Sequence, residues 1–286
     1  MKMKHAILLK TGVALFVLAA VSCKKNETTE PPIPIDPPVV SYLPVTVYDD
    51  GMPADSFVYN DDNTVAKLYY YYNKDTKKYA QTVTFKYTNG KCVGMERAQN
   101  DVVYQTDALV YKGNKVTNYT TYMGGRKDSA FLTLDNRNMV TLDGSKDTLR
   151  GSDFESMDYT EFTYANGNLV SHLHQHYYKD NGSSNSVKGE ATYSYDDKAN
   201  TLQYFFAVNP YIAFILSWEE GNMFSTGRNN LTKLMVVSTS GSVVKSTDTY
   251  KITNIFDEKT GLLSKQQLTE NDKPMGERTY RFIKIK

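Results

Sequence analysis

Three histidines at alternate positions form the arrangement in this chain that best suits chemistry. They are His172, His174 and His176, and alternate residues of a β-strand face the same side of a sheet. Neighbouring imidazoles would then lie about 6.7 Å apart, so two of them could bind one zinc or copper ion. A carboxylate from an adjacent strand could complete the ligand set. The spacing therefore identifies a candidate metal site.

A solvated strand face is the alternative interpretation of this segment. In that case Leu169, Leu173 and Tyr177 would pack inward from the opposite side of the strand. Beyond the N-terminal segment, the sequence has neither a second histidine cluster nor a pair of cysteines to support a metal site. The solvated face is therefore favoured and no cofactor is expected, with zinc or copper kept as the alternative.

Patterns that mark common catalytic sites do not occur in the sequence. There is no Gly-x-Ser-x-Gly sequence, no His-Glu-x-x-His sequence and no phosphate-binding loop. Aspartate pairs such as Asp61-Asp62 and Asp196-Asp197 stand where hairpin turns favour aspartate, so they are interpreted as turn residues. The 33 basic and 32 acidic residues are balanced, which argues against a nucleic-acid partner. No catalytic residue is predicted, and an enzyme is the less favoured class.

Cys23 ends an N-terminal segment with the features of an export signal. Lysines precede a short apolar run from Thr11 to Ala20, which is too short for a membrane-spanning helix. The residues Ala20-Val21-Ser22-Cys23 resemble the lipobox of bacterial lipoproteins. The resemblance implies cleavage before Cys23, a diacylglycerol on its thiol and acylation of the new amino terminus. Ala20 and Ser22 would also suit an ordinary secretory cleavage site, so the peptide alone leaves both options open.

The rest of the chain divides into a proline-rich segment and a long folded region. Residues 1–22 are interpreted as the signal peptide, 23–44 as the lipidated cysteine with its tether, and 45–286 as one β-rich domain. Five prolines between positions 31 and 38 favour a tether, because such a segment cannot form a core. The tether in turn favours the lipoprotein interpretation. Cys92 is then left without a disulfide partner and is expected to be a buried, unreactive side chain.

Alternating aromatic strands that end in tight turns recur along the folded region. Each unit has a strand, an aromatic residue, a turn rich in Asn, Asp or Gly, and a second strand. The turns are placed at residues 60–63, Asn89-Gly90, Gly113-Asn114, Asn166-Gly167, Asp196-Asp197 and Thr260-Gly261, with a degenerate copy at 132–136. The pattern predicts an all-β fold: one long, curved antiparallel sheet of consecutive hairpins, like an open half-barrel. A two-sheet β-sandwich is the alternative.

The repeated hairpins are similar to the YD-type repeats of Rhs-like proteins. Together with Ser22-Cys23-Lys24-Lys25 and the proline-rich tether, they resemble an uncharacterised family of Bacteroidetes lipoproteins. The segment 209–218 also resembles a landmark of that family. The resemblance covers most of the mature chain and implies an envelope location and a β fold. It implies no active residues, because the function of that family is not established.

One short helix is predicted near residues 210–217. Asn209 can cap it and Pro210 suits the first helical position, while Glu219-Glu220-Gly221 offers an end. The segment is apolar on nearly every side, so the helix is expected to be buried as a plug at the end or in the trough of the curved sheet.

A non-enzymatic binding or scaffold module of the cell envelope is the favoured function. The protein would be attached to the outer membrane through Cys23 and would face either the periplasm or the exterior. A glycan, a lipid or an envelope protein is the expected partner. The alternative is an envelope hydrolase or a metal-binding protein that uses His172, His174 and His176.

Overall fold

Antiparallel strands form one closed barrel in the computed structural model, which describes residues 42–180, 182–208 and 227–285. The first eight strands are β1 (Tyr42–Asp49), β2 (Met52–Tyr59), β3 (Val65–Asn73), β4 (Lys78–Thr88), β5 (Lys91–Gln99), β6 (Val102–Lys112), β7 (Lys115–Tyr122) and β8 (Lys127–Leu134). Then follow β9 (Val140–Arg150), β10 (Phe154–Ala165), β11 (Asn168–Asp180), β12 (Ser184–Ala199), helix α1 (Gln203–Val208), β13 (Asn229–Ser240), β14 (Val243–Phe256), β15 (Leu263–Glu270) and β16 (Lys273–Lys284). Each strand pairs with its neighbours in the sequence, so the all-β prediction is confirmed.

The first and last strands pair with each other, and this pairing closes the sheet. Val47 of β1 stands opposite Tyr280 of β16, and Asp49 stands opposite Arg278. The Arg278 guanidinium donates to both carboxylate oxygens of Asp49, at 2.7 and 2.9 Å. The predictions of an open half-barrel and of a two-sheet sandwich are therefore wrong. Closure satisfies the backbone groups that two free sheet edges would leave unpaired.

The two ends of the barrel differ. Helix α1 joins β12 to β13 at one end, here called the helix end, and the turns after the other even-numbered strands lie there too. The chain enters β1 and leaves β16 at the helix end as well. The turns after the odd-numbered strands form the opposite end, here called the open end. Inward-facing side chains are exposed towards the open end, as the 64% exposure of Asp158 illustrates.

Most of the predicted tight turns occur as hairpins at the helix end. Asn89-Gly90 and Asn166-Gly167 have positive φ at both positions, as a type I′ turn requires. Asp196-Asp197 is the exception, because both residues lie within β12. The Asp196 carboxylate accepts a hydrogen bond from the backbone of Asn230 at 3.1 Å, so it ties β12 to β13 and forms no turn.

The aromatic residue before each turn has a structural role. The Tyr111 hydroxyl donates to the carbonyl of Cys92 at 2.7 Å, and the Tyr195 hydroxyl donates to the carbonyl of Leu169 at the same distance. In both cases the ring faces the interior and its hydroxyl holds the preceding strand. A tyrosine combines a large apolar ring with a polar tip, which this inner position needs. The sequence repeat therefore reflects the packing of consecutive hairpins.

Helix α1 fills the interior at the helix end. Phe205 is 1% exposed and meets Phe57 edge-to-face, with ring centroids 5.1 Å apart. Asn200 begins the helix, since its side chain accepts from the backbone of Leu202 at 2.9 Å. The helix predicted at 210–217 lies outside the described residues, and the observed helix ends at Val208.

Within the described residues, no helix is both long enough and apolar enough to cross a membrane.

Candidate binding site inside the barrel

The outer wall of the barrel carries pairs of opposite charge on neighbouring strands. Lys86 on β4 pairs with Glu96 on β5, and Lys265 on β15 pairs with Glu277 on β16 at 3.0 Å. These side chains alternate with core residues, as Lys86 follows the buried Phe85, and so they point outward. The outer wall therefore carries ion pairs as well as exposed apolar side chains such as Val110 and Phe131.

The predicted histidine row lies on β11 and faces the interior. His172 packs between Phe162 of β10 and Tyr193 of β12, with ring centroids 6.0 and 5.9 Å away. Tyr193 belongs to an inner apolar cluster with Leu231 and Ile252. His174 follows on the same face of the strand.

The favoured interpretation assigned the wrong direction to the two faces of this strand. The histidine face points to the interior of the barrel, not to the outside. Leu173 and Tyr177, which were expected to pack inward, occupy the alternate positions and point to the outer wall. Leu173 stands opposite Glu161, which pairs with Lys146 on the outside.

His172 is held as a structural residue at the inner end of the row. Its Nδ1 lies 2.7 Å from the Tyr193 hydroxyl. Burial lowers the pKa of His172, and the neighbouring His174 lowers it further. The imidazole is thus kept neutral and packed among aromatic rings.

Asp158 brings a carboxylate to the other two histidines. Its Oδ1 lies 3.8 Å from Nδ1 of His174, and its Oδ2 lies 3.5 Å from Nδ1 of His176. His174 also lies 3.1 Å from the Thr160 hydroxyl. The His174 and His176 side chains are 40% and 38% exposed, so these groups can be reached through the open end.

Asp143 places a second carboxylate beside this group. It stands opposite Thr160 on the neighbouring strand β9. Burial raises the pKa of Asp143 from 3.8 to about 6, and the nearby Asp158 raises it as well. A half-buried carboxyl that costs free energy when ionised is typical of functional sites. Neither Asp143 nor Asp158 was predicted from the sequence as a site residue.

Two inward-facing arginines have carboxylate neighbours. Arg97 lies 3.9 Å from Asp107, which also accepts from Thr120 at 2.5 Å, while Arg278 binds Asp49 as described above. These positive charges are thus matched by local negative charges. The remaining cluster is here called the inner acid–histidine group, and it consists of Asp143, Asp158, His174 and His176. Its carboxylates and imidazoles supply the polar groups of this part of the interior.

Among the residues that the structure describes, no three histidine, cysteine or acidic side chains are arranged to hold a metal ion. In the inner acid–histidine group, the contacts between possible ligand atoms join the Asp158 carboxylate to the Nδ1 atoms of His174 and His176. The group can donate and accept hydrogen bonds from one wall of the barrel interior.

Cys92 lies in a separate environment at the helix end. It is 4% exposed, and burial raises the pKa of its thiol to about 11, which keeps it protonated. The prediction that Cys92 is buried is confirmed. A cavity of about 320 Å³ adjoins it and is lined by Tyr87, Tyr111, Leu134 and Val208. Cys23 and the segment 209–217 lie outside the described residues.

Comparison with known proteins gives matches to solved structures alone. No protein-family model and no curated protein matches the chain. The chain is similar to a porin-like protein from Bacteroides vulgatus, with 13% identity, 84% of this chain and 98% of that chain covered, and a TM-score of 0.39. It is also similar to a porin-like protein from Bacteroides uniformis, with 12% identity, coverage of 85% and 98%, and a TM-score of 0.34.

Proposed function

We propose that the protein is an envelope lipoprotein whose barrel binds a polar ligand in its interior and performs no catalysis. The observation that carries this proposal is the inner acid–histidine group on a wall that is reached from one end. At the other end Phe205 and Phe206 of α1 are buried in the core, so this proposal takes the open end as the entrance for the ligand. The interior offers carboxylates, imidazoles and hydroxyls near that entrance, which suits a glycan better than an acyl chain.

Attachment to the outer membrane is assigned to Cys23 in this proposal. A strand wall embedded in lipid needs an apolar outer band, and charges there cost about 2–4 kcal/mol each at the bilayer midplane. The outer ion pair Lys146–Glu161 lies away from the ends of β9 and β10 and supports a barrel that lies in water. The acyl chains on Cys23 would then hold the protein at the membrane, at about 0.8 kcal/mol per buried CH₂.

Cys23→Ala is expected to move the protein from the membrane fraction to the soluble fraction, or to leave an uncleaved precursor. The reason is that alanine has no thiol to receive the lipid. Fractionation of cells followed by mass determination of the amino-terminal peptide measures both effects. A variant that is still processed and still membrane-bound would contradict the lipoprotein assignment. Cys92→Ala is the matched control and should remain at the membrane.

Asp158→Ala is expected to weaken binding of a soluble oligosaccharide at least tenfold, because it removes a carboxylate from the inner acid–histidine group. The test titrates a panel of neutral and amino-bearing oligosaccharides into the protein and follows binding by calorimetry. Glu161→Ala is the control, since Glu161 lies on the same strand and faces outward. Equal losses in the two variants, or no binding by any member of the panel, would contradict a glycan-binding interior.

A metal-binding role is the second candidate, and the position of Asp158 favours it. Two ligand atoms on one tetrahedral zinc ion lie about 3.3 Å apart, given zinc–ligand distances near 2.0–2.1 Å. The Asp158 oxygens lie 3.8 and 3.5 Å from the nitrogens of His174 and His176, so Asp158 and either imidazole are close to the spacing of two ligands on one ion.

In this second candidate, zinc should bind with defined stoichiometry and raise the melting temperature by mass action. His174→Ala should abolish both effects, whereas Gln175→Ala, on the outer face, should keep them. Binding should weaken in mildly acidic solution, because imidazole ligates metal in its neutral form. Calorimetry with zinc chloride provides the measurement. Micromolar binding that survives in His174→Ala would exclude this site.

A further inference from the structure

Exposed apolar side chains surround the entrance of the barrel. Six of the eight turns at the open end have a large exposed apolar residue within three positions. These residues, here called the apolar rim, are Val102, Met123, Leu149, Tyr178, Val244 and Met275. Their exposures run from 38% for Tyr178 to 72% for Met123. Single exposed apolar residues are ordinary, but a ring of them around one end indicates a contact surface.

Two pairs of opposite charge lie near the apolar rim. Arg126 lies 3.6 Å from Asp128, and Arg150 lies 3.5 Å from Glu155. These pairs add no net charge to the rim, so they do not attract an anionic lipid surface or a strongly charged partner. The same balance lets two identical surfaces approach without repulsion, as a two-fold interface requires.

We propose that the apolar rim binds the apolar rim of a second copy of this chain, so that two barrels meet mouth to mouth about a two-fold axis. The six side chains of the apolar rim expose on the order of 600 Å² of accessible surface per copy. With the polar turns between them, the area buried by each copy reaches the usual range of specific interfaces. This inference does not depend on the ligand or on the metal.

The position of the chain termini fits such a pair at a membrane. The described chain begins at Tyr42 at the helix end, and the 18 residues from Lys24 to Ser41 link it to Cys23. Any chain of 18 residues reaches at most about 60 Å when fully extended. If the long axis of the pair is parallel to the membrane, the helix ends of the two copies are its two outer ends. A barrel of this strand number has a radius of about 15 Å, so its axis lies about 15 Å above the membrane surface. Both copies can therefore be anchored in one membrane.

Pairing joins the two interiors into one enclosed chamber. The inner acid–histidine group of each copy then exchanges ligand with the surroundings only when the copies separate.

The test is sedimentation equilibrium of the chain that starts at Lys24, which retains every described strand and lacks only the signal and the lipid site. A dimer is expected at about 10 μM. Met123→Lys combined with Val244→Lys should raise the dissociation constant at least tenfold, because the apolar contact would then bury unpaired charges. Tyr119→Lys with Phe131→Lys is the control, as these residues are 53% and 51% exposed on the outer wall.

Thermal melts verify that all variants are folded. A wild-type chain that remains monomeric at about 100 μM would overturn the proposal. Dissociation of the control variant to the same extent as the rim variant would also overturn it.

Discussion

Phe205→Ala is expected to lower the free energy of unfolding by about 3–5 kcal/mol, which is the usual cost of removing a buried aromatic ring. The ring is 1% exposed and contacts Phe57, Tyr59 and Phe206 at centroid distances of 5.1, 6.3 and 5.0 Å. Its loss leaves a cavity at the point where α1 meets the barrel wall. Urea-induced unfolding followed by tyrosine fluorescence measures the change.

Phe131→Ala is the control for this prediction. Phe131 is 51% exposed on the outer wall, so its truncation should change the free energy of unfolding by less than about 1 kcal/mol. If Phe205→Ala costs no more than Phe131→Ala, α1 does not close the helix end of the barrel.

Asp143→Asn is expected to stabilise the protein at pH 8 by up to about 3 kcal/mol, at 1.36 kcal/mol per pKa unit. Burial and the charge of Asp158 raise the pKa of Asp143 from 3.8 to about 6 in the folded state. Between these values the folded state binds more protons than the unfolded state, so stability decreases as pH rises through this window. Above the window the folded protein bears the full cost of an ionised Asp143, and asparagine removes that cost.

The pH dependence distinguishes this cause from a general packing effect. At pH 4 the Asp143 carboxyl is protonated in the folded state, so Asp143→Asn and wild type should melt at similar temperatures. Asp128→Asn is the control, because Asp128 is 57% exposed and should change stability little at either pH. A variant that melts below wild type at pH 8 would show that ionised Asp143 is stabilising, contrary to the assignment.

Local features of the fold could be predicted from the sequence. The turns at Asn89-Gly90 and Asn166-Gly167 need positive φ, and asparagine and glycine supply it within two residues. The inward position of Tyr111 likewise follows from strand alternation next to a turn. These features depend on residues that are close in the sequence, so they can be predicted from the pattern of one sequence.

Closure of the barrel could not be predicted in the same way. It depends on pairs such as Val47 with Tyr280, which lie at opposite ends of the chain. No turn joins these strands, and their alternation would serve an open sheet equally well. The number of hairpins and the twist of the whole sheet decide whether its edges meet.

The acidic partner of the histidine row was missed because of one extra residue. Counting outward from the Asn166-Gly167 turn places Tyr159 opposite His174. The β-bulge between Thr163 and Tyr164 shifts the register by one position and places Thr160 there instead. Since a one-residue shift moves side chains to the other face, Asp158 reaches the histidines only through this bulge. A bulge of this kind has no sequence signature that the repeat pattern reveals.

The pairing of β1 with β16 also affects how the protein is made. The strand that begins at Tyr42 finds its last partner only when Lys284 has emerged, so the barrel cannot close while its carboxyl-terminal strand is still missing. Contacts between distant parts of a chain slow folding, because a long loop must be ordered first. The closing step of folding therefore joins the two strands that lie farthest apart in the sequence.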